Sequence, residues 1–409
     1  MKISTRSLLE VATVVAALSV LALILFPVVS QSQIPDQQSL CTANQKRIAQ
    51  SLLMYAQEHN GTLPESKNVW ASVKLPAQTL RCPTNATTGN GYVYSCFAAG
   101  TKLASIPDPA TELLTADGQH AVTQAGSYAN IAYSEADFAR RHNGNIVESF
   151  ADGHVIARPE SSWKFHAYLW YDAFRLAKSF DDGQAADTVI DSTGLGHTAT
   201  LAKGFIPAPA IDKQGINGHA GMKFAKSILT FKAPAHVYAA IMAGVRADKG
   251  EWPNMLCIYN APNKLYGYIT RFDDHGHVQS IIGVKDGKEM YITTEQSTAN
   301  GQPFVYGFSI NNADNTLSSQ PKDGLVNGTV FSYLNGKQDQ TRPVVPGEAV
   351  ATLGYDGFQS AIIGAGGTAD TQWGYFPGQL GDVILFDHPV DNAIIVEALR
   401  TLQKKYGIQ

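Results

Sequence analysis

His142-Asn143-Gly144-Asn145-Ile146-Val147-Glu148-Ser149-Phe150-Ala151-Asp152-Gly153-His154-Val155 holds two tight-turn signals set one strand apart. Asn-Gly and Asp-Gly both favour hairpin turns, because their residues tolerate the positive φ that such turns demand. The segment Asn145 to Ala151 is long enough for one strand between them. His142 and Asp152 then sit at opposite ends of that strand, roughly 30 Å apart along extended chain. Local geometry therefore argues against a His–Asp catalytic dyad. His142 reads as a turn cap and Asp152 as a side chain bonding its own turn, with a metal or catalytic role the alternative.

Working upstream, Leu40, Ile48, Leu52, Tyr55 and Ala56 recur at helical spacing between Asp36 and His59. Pro35 suits a helix start and Asn60-Gly61 a helix stop. The pattern predicts a long helix packed on a small sheet. Further back, Val11 to Val29 is nineteen residues without a charge. As a helix it reaches roughly 28 Å, about the hydrocarbon thickness of a bilayer. Lys2 and Arg6 precede it, which places the first residues in the cytoplasm and the rest across the membrane. Glu10 heads the apolar run and Pro27 interrupts it. A membrane carboxylate is costly without a partner, and a proline there permits a kink.

The stretch Ser7-Leu8-Leu9-Glu10-Val11-Ala12 through Leu25-Phe26-Pro27 resembles the N-terminal helix of type IV pilins and type II secretion pseudopilins. Glu10 and Pro27 match that family's Glu and Pro in spacing. The resemblance implies that Glu10 pairs with the free amine of a neighbouring subunit and sets an assembly register. Thr5-Arg6 departs from the family's Gly-Phe processing site, and an uncleaved signal anchor is the alternative. Cys41 to Ile48, Met54 to Pro64 and Asp108 to Gly118 resemble further blocks of pilin-like bacterial proteins. The run from His142 through Asp152-Gly153 fits the H-X9-DG pattern of prepilin-type processing-associated domains. Glu148 stands where that family has an apolar residue, which predicts a more exposed strand face.

Downstream of about Leu169 the chain reads as strand after strand, with Gly, Asn and Asp between them. Lys285-Asp286-Gly287-Lys288 and Asn335-Gly336 are hairpin signals. Such punctuation predicts a sandwich or jelly roll. One helix closes the chain, with Asp391 as N-cap and Ile394, Ile395, Ala398, Leu399 and Leu402 as its apolar face. Phe180-Asp181-Asp182-Gly183 with Val189 to Leu201, Tyr333 to Lys337, and Phe376 to Val390 resemble the concanavalin A-like, laminin-G-like superfamily. The resemblance implies glycan or protein binding, in some members through calcium. Asp181, Asp182, Asp191 and Asp382 are the calcium-ligand candidates, with turn and capping roles for Asp181, Asp182 and Asp191 as the preferred reading. The family's Asp position is Gly381 here, with Asp382 one place later.

Trp252, Trp373 and Tyr375 lie in loop-like stretches and are candidates for sugar stacking. Asp273-Asp274-His275-Gly276-His277 reads as a polar hairpin tip, and Gly364-Ala365-Gly366-Gly367 as a glycine-rich turn. Cys82 and Cys96 flank a Pro- and Gly-rich excursion and form the candidate disulfide, with Cys41–Cys82 the alternative. Cys257 reads as a buried free thiol. The net charge of −4 gives no electrostatic case for nucleic acid. No HExxH, GxSxG, Walker or paired-acid glycosidase pattern is present, so no enzyme activity is expected.

The expected architecture is an N-terminal transmembrane pilin helix over 1–34 and a pilin-like α+β domain over 35–160. An all-β, concanavalin A-like jelly-roll sandwich follows over 161–409. The expected protein is anchored in the bacterial inner membrane or built into a cell-surface filament, as a homopolymer or within pilus or secretion machinery. It displays a lectin-like domain for glycan, matrix or subunit binding. The alternatives are an anchored carbohydrate-active enzyme and a minor pseudopilin.

Overall fold

The computed structural model describes residues 37–409 except 86–88, 119–127, 203–206, 235–236, 249–251, 261–264, 285–287, 313–327, 345–359 and 368–370. Glu10 and Pro27, and the turn signal at 285–287, lie outside the described residues. Among the described residues no helix is long and apolar enough to cross a membrane.

The first described element is helix α1, Gln37–Glu58. Cys41, Gln45, Ile48, Ala49, Leu52 and Ala56 form its buried face, a run of three- and four-residue steps. Leu40, expected on that face, is exposed instead, because the stripe enters through Cys41 and Gln45. Asn60 (φ 55°) and Gly61 (φ 76°) end the helix in the left-handed region.

The helix packs on a five-stranded sheet of β1 (Tyr92–Ser95), β2 (Leu113–Asp117), β3 (Ile131–Ala132), β4 (Ile146–Phe150) and β5 (Val155–Arg158). Their order is β3-β1-β2-β4-β5, with only the β1–β3 pair parallel. The β4 strand sits between the two expected turns. Asn143 (φ 54°) and Gly144 (φ 86°) make the first, and the Asp152 carboxylate accepts the His154 N–H in the second.

Glu148 corrects the expected exposed face. It is fully buried, and Arg158 on the neighbouring β5 donates to it at 2.5 Å. Burial pushes its carboxyl up to about 8, with the Arg158 guanidinium opposing. A carboxyl side chain fills this apolar position because its partner lies on the adjacent strand.

The rest of the chain is mostly β, in two eight-stranded sheets. One runs Lys337–Val344, Gly328–Leu334, Pro303–Asn312, Ala239–Arg246, Gly378–Phe386, His219–Phe224, Ala210–Ile216, with Leu169–Tyr171 also pairing on Gly378–Phe386. The other runs Lys288–Ser297, His277–Val284, Leu265–Phe272, Asn254–Asn260, Ser360–Ile363, Leu229–Phe231, Ala199–Leu201, Thr188–Val189.

Period-two alternation sorts the side chains of the first sheet. Ala240, Met242, Phe304, Tyr306, Phe308, Val383 and Leu385 face the second sheet and build the main core. Ala239, Ile241, Ala243, Val305, Ile384 and Phe386 point the other way. On that outer face lies the closing helix. Helix α2 is Ala173–Ser179, and α3 is Asn392–Tyr406. The Asp391 carboxylate caps α3 by accepting the Ala393 N–H at 2.7 Å, and Gly407 ends it in the left-handed region. Ile394, Ile395, Ala398, Leu399 and Leu402 are all buried against the sheet.

Helix α3 also joins the two parts of the chain. Glu397 receives Arg158 of β5, Lys404 meets Asp108 at 2.7 Å, and Thr401 meets Thr111 at 3.0 Å.

All four cysteines are free thiols. This corrects the Cys82–Cys96 pair. Cys82 turns toward Cys41, whereas Cys96 packs with Phe97, where burial pushes its thiol up to about 12. Cys257 is fully buried, as expected.

Candidate functional sites

Three places concentrate chemistry. The first is an end of the second sheet where Asn254–Asn260 begins. Asn254 is wholly buried there, and its Nδ2 donates to the carbonyls of Trp252 (2.8 Å) and Gly374 (3.1 Å). Its own N–H donates to Gly374 as well, at 2.8 Å. One asparagine thus ties two loops together and brings Trp252 beside the segment carrying Trp373 and Tyr375.

Trp252 is 40% exposed and has φ 49°. A bulky residue in the left-handed region stores strain of order 1–3 kcal/mol, and such strain clusters at functional sites. The Arg271 guanidinium lies 4.3 Å from its ring centroid. Trp373 is half-buried and pairs with Gly366 in a two-residue ladder. A Cβ at Gly366 would fall 2.7 Å from its indole, so only glycine lets the ring lie there. Tyr375 donates to Gln372 at 3.3 Å and packs on Ala202, Ile228, Ile362 and Ala365. The Gly364 to Gly367 stretch is a turn that seats aromatics, with Gly364 at φ 96°.

The second place is a cavity of about 420 Å³ where the helix-and-sheet unit meets the sandwich. Phe97, Lys164, Trp170, Phe174 and Lys405 line it. Two of its lysines are paired within it. Lys164 pairs with Glu112, and Lys405 with Asp172 and Asp382.

That matching also corrects the calcium set. Asp382 is fully buried, and both its oxygens accept the Lys405 ammonium at 2.8 Å. The Trp170 indole N–H (2.8 Å), the Tyr406 hydroxyl (2.6 Å) and the Ala173 N–H (3.3 Å) also donate to it. Asp191 locks its own loop by accepting the N–H groups of Trp170, Thr193 and His197. Asp182 accepts the Lys213 N–H, and Asp181 sits in an exposed turn with Gln184. Among the described residues, none of the four joins a converging group of metal-ligating side chains.

The third place is buried in the helix-and-sheet unit. Cys41 of α1, Cys82 from the loop before β1, Asp117 at the end of β2 and His142 from the first hairpin turn converge. Their ligand atoms all lie within 4.8 Å of one another. Cys41 donates to Asp117 Oδ1 at 3.0 Å. His142 Nε2 lies 3.3 Å from Asp117 Oδ2 and 3.4 Å from Cys82 Sγ. The hydrogen bond from Cys41 pulls the Cys82 thiol down to about 5, and the same bond, with burial, pushes Cys41 up. The bond to Asp117 raises His142.

His142 therefore does not serve only as a turn cap. The sequence reading missed Asp117 and Cys82 as its partners. Asp152, as expected, bonds its own turn and not His142. The Asp273 to His277 run is a hairpin tip in which the Asp273 carboxylate accepts the N–H groups of His275 and His277.

No protein-family model matches the chain, and no curated protein matches it. Solved structures similar to the chain include the botulinum neurotoxin type G receptor binding domain, at 11% identity and TM-score 0.38 over 58% of this chain and 51% of that one. The chain therefore spans about half the length of that structure. Another is the CBM40 of the Ruminococcus gnavus IT-sialidase bound to α2,3-sialyllactose, at 9% identity and TM-score 0.33, covering 41% of this chain and 83% of that one. A third is domain 4 of AbnA, a GH43 extracellular arabinanase of Geobacillus stearothermophilus, in complex with arabinotriose. It shows 13% identity and TM-score 0.36, covering 57% of this chain and 97% of that one.

Proposed function

We propose that this chain is a membrane-anchored, pilin-like display protein whose sandwich binds carbohydrate through the Trp252, Trp373 and Tyr375 end. The observation that carries the proposal is Trp252, an exposed indole held at positive φ beside a second aromatic loop by the buried Asn254. A protein gains nothing in core packing by straining a tryptophan into solvent. A flat apolar ring presented at a fixed angle suits the apolar face of a sugar ring.

The anchoring half of the proposal rests on the uncharged run from Val11 to Val29, on Glu10 and Pro27 at pilin spacing, and on the H-X9-DG match. A helix lying on a small, mostly antiparallel sheet suits a pilin-like stem. In this reading the stem sits at the bacterial inner membrane or in a filament with pilus or secretion machinery, and the sandwich stays outside. The chain binds and carries out no catalytic step. Binding is independent of calcium, because Lys405 already holds Asp382.

The test is a glycan array probed with the full chain in detergent, beside Trp252→Ala and Trp373→Ala. The expected result is saturable binding to one glycan class. Each substitution weakens it by about 2 kcal/mol, roughly thirtyfold, the usual cost of truncating an aromatic anchor. Binding that both variants retain in full would remove this face from the function.

A further inference from the structure

We propose that Cys41, Cys82, Asp117 and His142 form a structural zinc site that clamps helix α1 to the sheet. The four residues come from four separate stretches of chain, and each is at most 4% exposed. Zinc takes four ligands in a tetrahedron, at about 2.3 Å to sulfur and about 2.0–2.1 Å to nitrogen and oxygen. Those lengths set edges of about 3.5 Å between sulfur and nitrogen and about 3.3 Å between nitrogen and oxygen. The Cys82–His142 separation of 3.4 Å and the His142–Asp117 separation of 3.3 Å match both edges.

Outer partners hold three of the four ligands. Asp117 Oδ2 accepts the Val147 N–H at 2.9 Å, and Gln45 in turn donates to the Val147 carbonyl. Thr84 Oγ1 lies 3.0 Å from Cys82 Sγ, and the Tyr92 hydroxyl lies 3.5 Å from Cys41 Sγ. Ligands oriented by outer partners in this way are the usual pattern of metal centres.

The Asp117 carboxylate is fully buried, with His142, Cys41 and the Val147 N–H as its partners, and with two sulfurs it offers an anionic ligand set. A divalent ion displaces the thiol protons and leaves a shell of two thiolates, one carboxylate and a neutral imidazole, with a net formal charge near −1. Thiolates select zinc over calcium or magnesium. All four positions are filled by protein and the site is closed to solvent, so the ion holds structure and leaves no open position for a substrate.

The test is metal analysis of the full chain purified in detergent without chelator, followed by cobalt titration of the stripped protein. The expected result is one zinc per chain and a cobalt spectrum with tetrahedral d–d bands and thiolate charge transfer. His142→Gln and Cys82→Ser each weaken cobalt binding at least about tenfold, and Cys257→Ser leaves it unchanged. If Cys82→Ser does not fold, His142→Gln and the zinc content of the unaltered chain decide. Three results would overturn the proposal. One is a chain with four titratable thiols and no bound metal. Another is a Cys41–Cys82 disulfide found by mass spectrometry. The third is cobalt binding that neither ligand substitution alters.

Discussion

Replacing Lys405 with methionine removes one buried cation. Its ammonium contacts three carboxylate oxygens, Asp172 Oδ1 at 2.6 Å and both oxygens of Asp382 at 2.8 Å. Burial works against its charge, but the two carboxylates outweigh burial and hold its pKa above the ordinary lysine value. Methionine fills the space and leaves the wholly buried Asp382 carboxyl, which burial already holds above the ordinary aspartate range, without its cation. Breaking a buried pair from one side costs about 3–5 kcal/mol. The Trp170 and Tyr406 donors remain on Asp382, which puts the expected loss near about 3 kcal/mol.

For a sandwich of this size, a loss of that order lowers Tm by about 6 °C. The readout is thermal unfolding of the full chain in detergent, followed by tryptophan fluorescence, because the Trp170 indole bonds Asp382 directly. Adding Asp382→Asn to Lys405→Met removes the stranded carboxyl and should recover at least half of the loss. A fall in Tm below about 2 °C, or no recovery in the double variant, would refute this electrostatic account of the α3 joint.

Acid should weaken the protein through His166. Burial lowers its pKa from 6.5 to about 4, so the folded state holds it neutral while the unfolded state takes up a proton. Stability is therefore complete above about pH 6.5 and declines as pH falls toward about 4. The decline is at most about 3 kcal/mol, at roughly 1.4 kcal/mol per pH unit. His166→Gln should flatten that part of a denaturant-midpoint profile, and a slope that persists would assign the effect elsewhere. Gly144→Ala and Gly364→Ala form a contrasting pair. Both glycines have positive φ, but nothing lies within 4 Å of a Cβ at Gly144, whereas one at Gly364 falls 2.4 Å from Phe224 and 2.6 Å from the Ser227 carbonyl. Denaturant titration should show a loss of about 1 kcal/mol for the first and of several kcal/mol for the second; equal losses would contradict the packing described.

Local signals carried much of the β-rich architecture. Asn335 and Gly336 take φ of 48° and 71°, as a hairpin of that sequence demands, and the Asp391 cap and its apolar helix face stand where spacing put them. What the sequence hid was partnership across distance. Glu148 looked like a polar intruder on a strand, and only the adjacent β5 reveals Arg158 as its counter-charge. Leu40 looked like core because leucine is apolar, yet the sheet meets α1 one residue later, at Cys41.

Asp382 resembled a displaced calcium ligand until Lys405, on the closing helix, occupied both its oxygens. The Cys41, Cys82, Asp117 and His142 group has no short-range spacing to read, since each member comes from a different element. The H-X9-DG run marked His142 and Asp152, but His142's partners are a β2 aspartate and two distant cysteines. By contrast, Trp252, Trp373 and Tyr375 were flagged by residue type alone. Asn254, which ties their two loops together, carried no signal.

The most direct test of the whole account couples its two ends in one measurement. Fluorescent lipid vesicles are reconstituted with the full chain and passed over beads carrying the glycan class that the array identifies. Retention of vesicles by the beads, lost with Trp252→Ala and abolished by free glycan, is the predicted result. Vesicles that fail to incorporate the chain, or incorporate it and flow past every glycan offered, would contradict an anchored, sugar-binding display protein.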